Sequence, residues 1–186
     1  MIGFALCGSF CTVREALGEM EKMAKSTEVQ GIVSEAVFAT DTRFSAAADV
    51  VKRIQDITGR DVIHSIVEAE PLGPRVKLEA LVICPCTGNT LAKMANGITD
   101  TAVTMAAKAH LRSDRPLVIA LASNDALSAN LKNVGQLLTR KNVYFVPMKQ
   151  DDPMGKPHSL VADFSLLAPT LDAALEGKQY QRLFTV

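Results

Sequence analysis

Apolar positions along the chain fall into two alternating periods. Continuous runs rich in β-branched residues occupy residues 2–6, 29–33, 62–67, 80–84, 116–122 and 143–146, the pattern of strands buried on both faces. Between them, apolar residues recur three and four apart. Val13, Ala16, Leu17, Met20, Met23 and Ala24 make one such stripe; Ala47, Val50, Val51, Ile54 and Ile57 make a second, stopped by Gly59. Leu91 opens a helical pattern that closes at Gly97, Ala102, Met105, Ala106 and Ala109 share a face of residues 101–111, residues 131–138 read as helical, and residues 160–175 contain a closing helix. Alternation of this kind predicts an α/β fold in which a parallel sheet of six strands carries helices on both faces.

The breaks in the pattern predict the loops. Residues 36–44 read as a loop with Asp41, Thr42 and Arg43 at its tip, residues 68–75 hold two prolines and a glycine, and residues 147–159 form a long polar, proline-rich segment. Pro85 ends the fourth strand, so Cys86 to Thr90 form a small polar loop that meets a helix N-terminus. Unpaired N–H groups and the positive end of the helix dipole suit phosphate or another anion there. An ordinary strand-to-helix turn capped by Asn89 or Thr90 fits the same residues. Asp100 reads as the cap of the next helix and Lys93 as a surface cation.

Composition narrows the classes. A length of 186 residues points to one domain over 1–186, and 48% hydrophobic residues supply a large core for it. Twenty basic against twenty acidic residues leave no basic footprint for nucleic acid. No apolar stretch is long enough to span a bilayer, and the beginning, IGFAL, is strand-like rather than a signal peptide, so a cytoplasmic protein is expected. Cys7, Cys11, Cys84 and Cys86 lie in pairs at the ends of two strands that could be neighbours. A four-thiolate metal site is conceivable, but the second pair is C-x-C rather than C-x₂-C, and small loop or core residues are the expectation, with no metal.

The candidate chemistry gathers at strand ends. Gly8, Ser9, Phe10, Cys11 and Thr12 follow the first strand, Ser34 the second, Pro85 to Thr90 the fourth, and Ser123, Asn124 and Asp125 the fifth. In a parallel sheet these ends line one crevice. The first loop lacks the full G-x-G-x-x-G dinucleotide pattern and the Lys-Ser or Lys-Thr pair of nucleotide hydrolases. A mononucleotide is therefore the expected ligand class. His64, beside the third strand, has a side chain suited to proton transfer, with a structural or surface histidine as the bland alternative. Arg43 could clamp a carboxylate.

PCTGNTLAKMANGITD, residues 85–100, resembles the PASANTxxKxAxGxxD signature of the flavin-binding cysteine-decarboxylase family of flavoproteins. Pro85, Asn89, Thr90, Lys93, Ala95, Gly97 and Asp100 fall on that pattern; Cys86, Thr87 and Gly88 depart from its Ala-Ser-Ala. The resemblance spans the chain and implies a three-layer Rossmann-like fold, the first and fourth strands adjacent, and FMN as cofactor. It implies flavin contacts from Gly8, Ser9, Ser34, Pro85, Thr87, Gly88, Asn89, Thr90 and Ser123, and homo-oligomers.

It further implies that Asn124 stands where the family carries the Asn of PxMNxxMW, with His64 near a catalytic histidine of the decarboxylases. The local sequence ALASNDAL lacks the Pro and the Met residues of that motif, which counts against cysteine decarboxylation. TDTRF, AEPLGP and QDDPMGKPHSLVADFSLL fit instead a branch whose members act beside a separate NAD(P)-binding chain on a cyclic dicarboxylate in spore-forming bacteria. Asn124, Arg43 and His64 are the candidate catalytic residues. An oxidoreductase subunit, a flavin-dependent decarboxylase and a non-catalytic protein with a vestigial flavin pocket are the three classes that these residues leave open.

Overall fold

The computed structural model describes residues 1–73 and 75–185; Pro74, within the expected loop at 68–75, lies outside them. Five parallel strands form the body of the sheet: β1 (Ile2–Leu6), β2 (Val29–Val33), β3 (Ala80–Cys86), β4 (Leu117–Ser123) and β5 (Val143–Phe145). Their spatial order is β2-β1-β3-β4-β5, with β1 and β3 adjacent at the point where the order reverses. Two short strands, β6 (Met148–Lys149) and β7 (Leu160–Ala162), complete a seven-stranded mixed sheet. The helices are α1 (Val13–Ala24), α2 (Glu35–Ala39), α3 (Ala47–Thr58), α4 (Ile66–Ala69), α5 (Gly88–Ala95), α6 (Ala102–Leu111), α7 (Leu131–Leu138) and α8 (Leu167–Leu175).

Period-two alternation along β3 and β4 explains the layers. Leu81, Ile83, Leu117 and Ile119 point to one face and pack with Leu91, Val103 and Val134 of α5, α6 and α7. Val82, Cys84, Val118 and Ala120 point to the other and pack with Val13, Met20, Ile54 and Leu171 of α1, α3 and α8. Every residue of β3 and β4 is buried. Burial on both faces is what makes these strands read as unbroken apolar runs.

Three expectations are corrected. The sheet is not purely parallel, because β4 changes partner along its length. Leu117 to Ile119 pair with β5 in parallel, whereas Ala122 and Ser123 pair with Leu160 and Val161 of β7 antiparallel. Residues 62–67 do not form a strand. Only Ile63 bridges to Ile32, after which Ser65 and Glu68 close a capping box on α4. The S-x-x-E spacing that makes such a box was legible in residues 65–68, and Val67 of that short helix is 82% exposed. Finally, β3 runs on through Pro85 to Cys86, at a register shift against β4 that tolerates a residue without an N–H.

Smaller adjustments follow from caps. Residues 35–39 are helical because the Ser34 hydroxyl accepts from the Val37 N–H. Thr101, not Asp100, caps α6, in a reciprocal pair with Thr104; Asp100 instead holds Lys93 at 2.9 Å.

His110, at the C-terminal end of α6, is fully buried. Its Nε2 lies 2.9 Å from the Pro116 carbonyl, while Nδ1 has no partner. With Nε2 as the donor, a proton on Nδ1 would be buried without an acceptor, which disfavours the charged ring. Burial pushes its pKa below the ordinary 6.5. The unfolded chain therefore takes up a proton that the folded chain refuses. The stability this group contributes is complete above about pH 6.5 and declines as the pH falls toward the lower folded value. Urea unfolding at pH 7.5 and 5.5 will show a smaller loss of stability on acidification in His110→Gln than in the native chain; equal losses in the two would exclude this role.

Candidate functional site

The crevice forms where β1, β3 and β4 end. At β1 the chain is tied across to β3, since Cys7 N–H donates to the Pro85 carbonyl at 3.1 Å. Ser9 N–H then donates back to the Cys7 carbonyl, which folds the loop on itself. Thr12 Oγ1 donates to the Ser9 carbonyl at 2.9 Å and lies 3.1 Å from Ser9 Oγ. A Cβ on Gly8 would meet the Phe10 ring at 3.3 Å and Ala36 at 3.4 Å, a tight fit that a small shift of Phe10 would relieve.

At β3 the chain enters α5 directly. Thr87 is the cap, its hydroxyl accepting from the Thr90 N–H, so neither Asn89 nor Thr90 caps the helix. The N–H groups of Gly88 and Asn89 belong to the first turn and have no intrahelical partner. Thr90 is buried and donates to the Cys7 sulfur at 3.2 Å, a second tie between β1 and β3. The Asn89 side chain is exposed at the crevice.

At β4 the strand delivers a polar network. Ser123 Oγ donates to Asp125 Oδ1 at 2.6 Å, and Asn130 Nδ2 lies 3.0 and 2.9 Å from the two carboxylate oxygens. Asn133 Nδ2 in turn donates to Asn130 Oδ1 at 2.8 Å. The Ser123 hydroxyl, joined by Asn130, holds the Asp125 carboxyl below its ordinary pKa. This network abuts α5: a Cβ on Gly88 would lie 2.6 Å from Asn130 Nδ2, 2.6 Å from Ser123 Oγ and 2.9 Å from Asp125 Oδ1. Gly88 therefore stands where the resembling signature has Ala because three polar side chains occupy the methyl's place.

The segment before β7 closes the far wall. Its backbone is held to the β4 loop by the Leu127 N–H donating to the His158 carbonyl at 2.9 Å. Lys156 lies 2.9 Å from Asp151, so the cation in the lining already has a counter-charge. The space enclosed is about 550 Å³, bounded by Gly8, Ser9, Cys11, Thr12, Thr87, Gly88, Asn89, Ser123, Asn124, Asp125, Asn130, Asp151 and Lys156, with Ala122 and Val161 below. That volume lies within the range of small-ligand sites.

Of the residues singled out in the sequence, the structure brings Gly8, Ser9, Thr87, Gly88, Asn89, Ser123 and Asn124 to this lining. Pro85 and Thr90 lie behind it as ties to Cys7. Ser34 is one strand further out, its N–H bonded to the Leu6 carbonyl. Arg43 lies over the Phe44 ring at 4.8 Å, and His64 stacks on Phe38 at 3.8 Å with Glu68 3.2 Å from its Nδ1. Neither lines the crevice. Asp125, Asn130, Asp151 and Cys11 do; the signal that pointed to the first was its place two residues beyond an apolar strand, within a polar loop.

The cysteines are thiols. Burial pushes Cys7 up to about 11 and raises Cys84 and Cys86 well above their ordinary values, while Cys11 is exposed at the rim. Among the described residues no three His, Cys, Asp or Glu side chains converge on a metal position.

Known proteins share this architecture. The Flavoprotein family matches residues 1–164. The B subunit of dipicolinate synthase from Bacillus subtilis is 46% identical over 97% of this chain and 90% of its own length. A crystal structure of the dipicolinate synthase B subunit from Bacillus halodurans superimposes with a TM-score of 0.91 at 42% identity, over 100% of this chain and 95% of that one. The FMN-dependent cysteine decarboxylase SpaF shares the fold, with a TM-score of 0.68 at 24% identity over 93% of this chain and 95% of its own.

Gly88→Ala tests the contact between α5 and the polar network. The added methyl must displace Ser123, Asp125 or Asn130, and about 1–3 kcal/mol of stability should be lost in urea unfolding, the usual cost of forcing a group into a filled site. A variant as stable as the native chain would show that these three side chains are free to move.

Proposed function

The chain belongs to the Flavoprotein family, and on that footing we propose that its crevice binds FMN and that it serves as the B-type component of a dipicolinate synthase. In this reading it acts with a separate, NAD(P)-binding A-type component in the oxidation of a cyclic dihydro- or hydroxytetrahydro-dicarboxylate to dipicolinic acid in a sporulating bacterium. The observation that carries the reading is the convergence of three polar loops on one crevice beside the β1–β3 switch point. The extent of the identity to the Bacillus subtilis protein supports it, and that protein's standing as one component of a multi-chain synthase supports a partner chain.

The donor set fits FMN. Gly8 brings backbone to the crevice wall. The Ser9 hydroxyl lines the crevice, 3.1 Å from Thr12 Oγ1, and can meet a ligand oxygen. Gly88 and Asn89 offer N–H groups, and the Asn89 amide offers both a donor and an acceptor. When bound, a flavin supplies two-electron acceptor chemistry. The residues of this chain hold and orient, and Asn124 on the rim is the side chain available to a substrate. Lys156 can meet a substrate carboxylate if it leaves Asp151, and the segment from Pro147 to Ser159 that carries it is the surface offered to a partner or to that substrate.

Two outcomes are expected. Added FMN will be quenched in fluorescence and will stabilise the chain, by about 2.7 kcal/mol at a hundred times the dissociation constant. Asn89→Ala will weaken that binding by about 0.5–1.5 kcal/mol, the worth of one neutral hydrogen bond, with the melting midpoint held because Thr87 is the cap. Absence of any FMN-dependent signal would remove the flavin reading.

Mixing with the A-type component tests the rest. Dipicolinate should form only with both chains present, and Lys156→Ala with His158→Ala should lower either complex formation or rate. Full turnover by this chain alone would refute the need for a partner.

A further inference from the structure

The carboxylate of Asp125 stands where an anionic ligand would be expected. It lies against the first turn of α5, so the positive end of that helix already faces an anion of the protein itself. A phosphate placed at the same terminus would meet this charge at close range. Lys156, the cation of the lining, is paired with Asp151. The loop after β1 is different: Gly8, Ser9 and Thr12 line it with small and hydroxyl groups. It is separated from the Asp125 loop by β3, two strand spacings or about 9–10 Å.

Asp125 is also built to be an acceptor. Ser123 and Asn130, both buried, fix its orientation through Oδ1, and Asn130 reaches Oδ2 as well. A carboxylate has about four acceptor positions. Oδ1 meets both Ser123 and Asn130 while Oδ2 meets Asn130 alone, so Oδ2 is the oxygen less engaged by side chains and open to a donor in the crevice, which Asp125 lines. FMN carries N–H at its ring imide, the donor farthest from its phosphate.

Resting on the flavin reading above, we propose that Asp125 is the residue that sets the direction of the bound flavin: its carboxylate accepts a hydrogen bond from the ring imide N–H, and the phosphate lies at the Gly8–Ser9 end. The arrangement selects a ligand that is a donor at one end and an anion at the other. It disfavours the reverse orientation by charge repulsion, and it makes the resident Asp125, rather than the phosphate, the partner of the α5 dipole.

The test uses the full chain with FMN and with 3-methyl-FMN, which lacks the imide proton, and reads dissociation constants by fluorescence quenching. The native chain should bind FMN roughly ten- to a hundred-fold more tightly than the methylated analogue, the range for a hydrogen bond to a charged group. Asp125→Asn should weaken FMN by a similar factor and leave 3-methyl-FMN nearly unchanged, so that the discrimination collapses. Tighter FMN binding by Asp125→Asn would mean that the phosphate lies beside Asp125, and equal losses for both ligands would mean that the imide is elsewhere; either overturns the proposal. Should Asp125→Asn fail to fold, Ser123→Ala carries the same test: it loosens the carboxylate, so discrimination must fall, and unchanged discrimination refutes the role. A native chain that binds neither ligand refutes the flavin reading itself, whereas one that binds both equally refutes the role of Asp125 alone.

Discussion

Burial of β3 and β4 on both faces is the constraint from which the rest follows. A strand with no exposed face has no room for a polar side chain along its length, because each would be stranded without a partner. Polar residues are therefore confined to the strand ends. Three such ends lie side by side, and their loops have nowhere to go but into a common crevice. The ties in that region join β1 to β3, through Cys7 to Pro85 and Thr90 to Cys7. They hold the walls of the crevice at the separation that the sheet dictates.

The exchange of partners along β4 has a functional consequence. Its first half pairs with β5 and its second half with β7. The segment between β5 and β7 is thereby folded back over the end of the sheet, which brings Asp151 and Lys156 to the crevice. A purely parallel sixth strand would have sent this segment away from the other loops.

Much of this was legible. The apolar runs marked all five parallel strands, and the three- and four-residue spacing marked α1, α3 and α6, since burial against a sheet imposes those periods directly. The strand-end loops could be placed on one crevice from topology alone. What misled was length and β-branching without context. Residues 62–67 have the composition of a strand, yet the two residues of the Ser65–Glu68 box turn them into a helical turn. Arg43 and His64, chosen for their chemistry, lie outside the crevice lining of this chain, beside Phe44 and beside Phe38 and Glu68.

By itself, then, the sequence determined the α/β class, the five parallel strands, the strand-end position of the polar loops and the resemblance to flavin-binding proteins. Each of these depends on local periodicity or on residues close together in the chain. Only the tertiary structure decided that β7 runs antiparallel, that Thr87 caps α5, and that Gly88 faces Ser123, Asp125 and Asn130. The first and last of these depend on contacts between segments some 35 to 42 positions apart. No local pattern records such contacts, because the groups that meet in them come from segments far apart in the chain, brought together by strand pairing and by the seating of α5 against the end of β4.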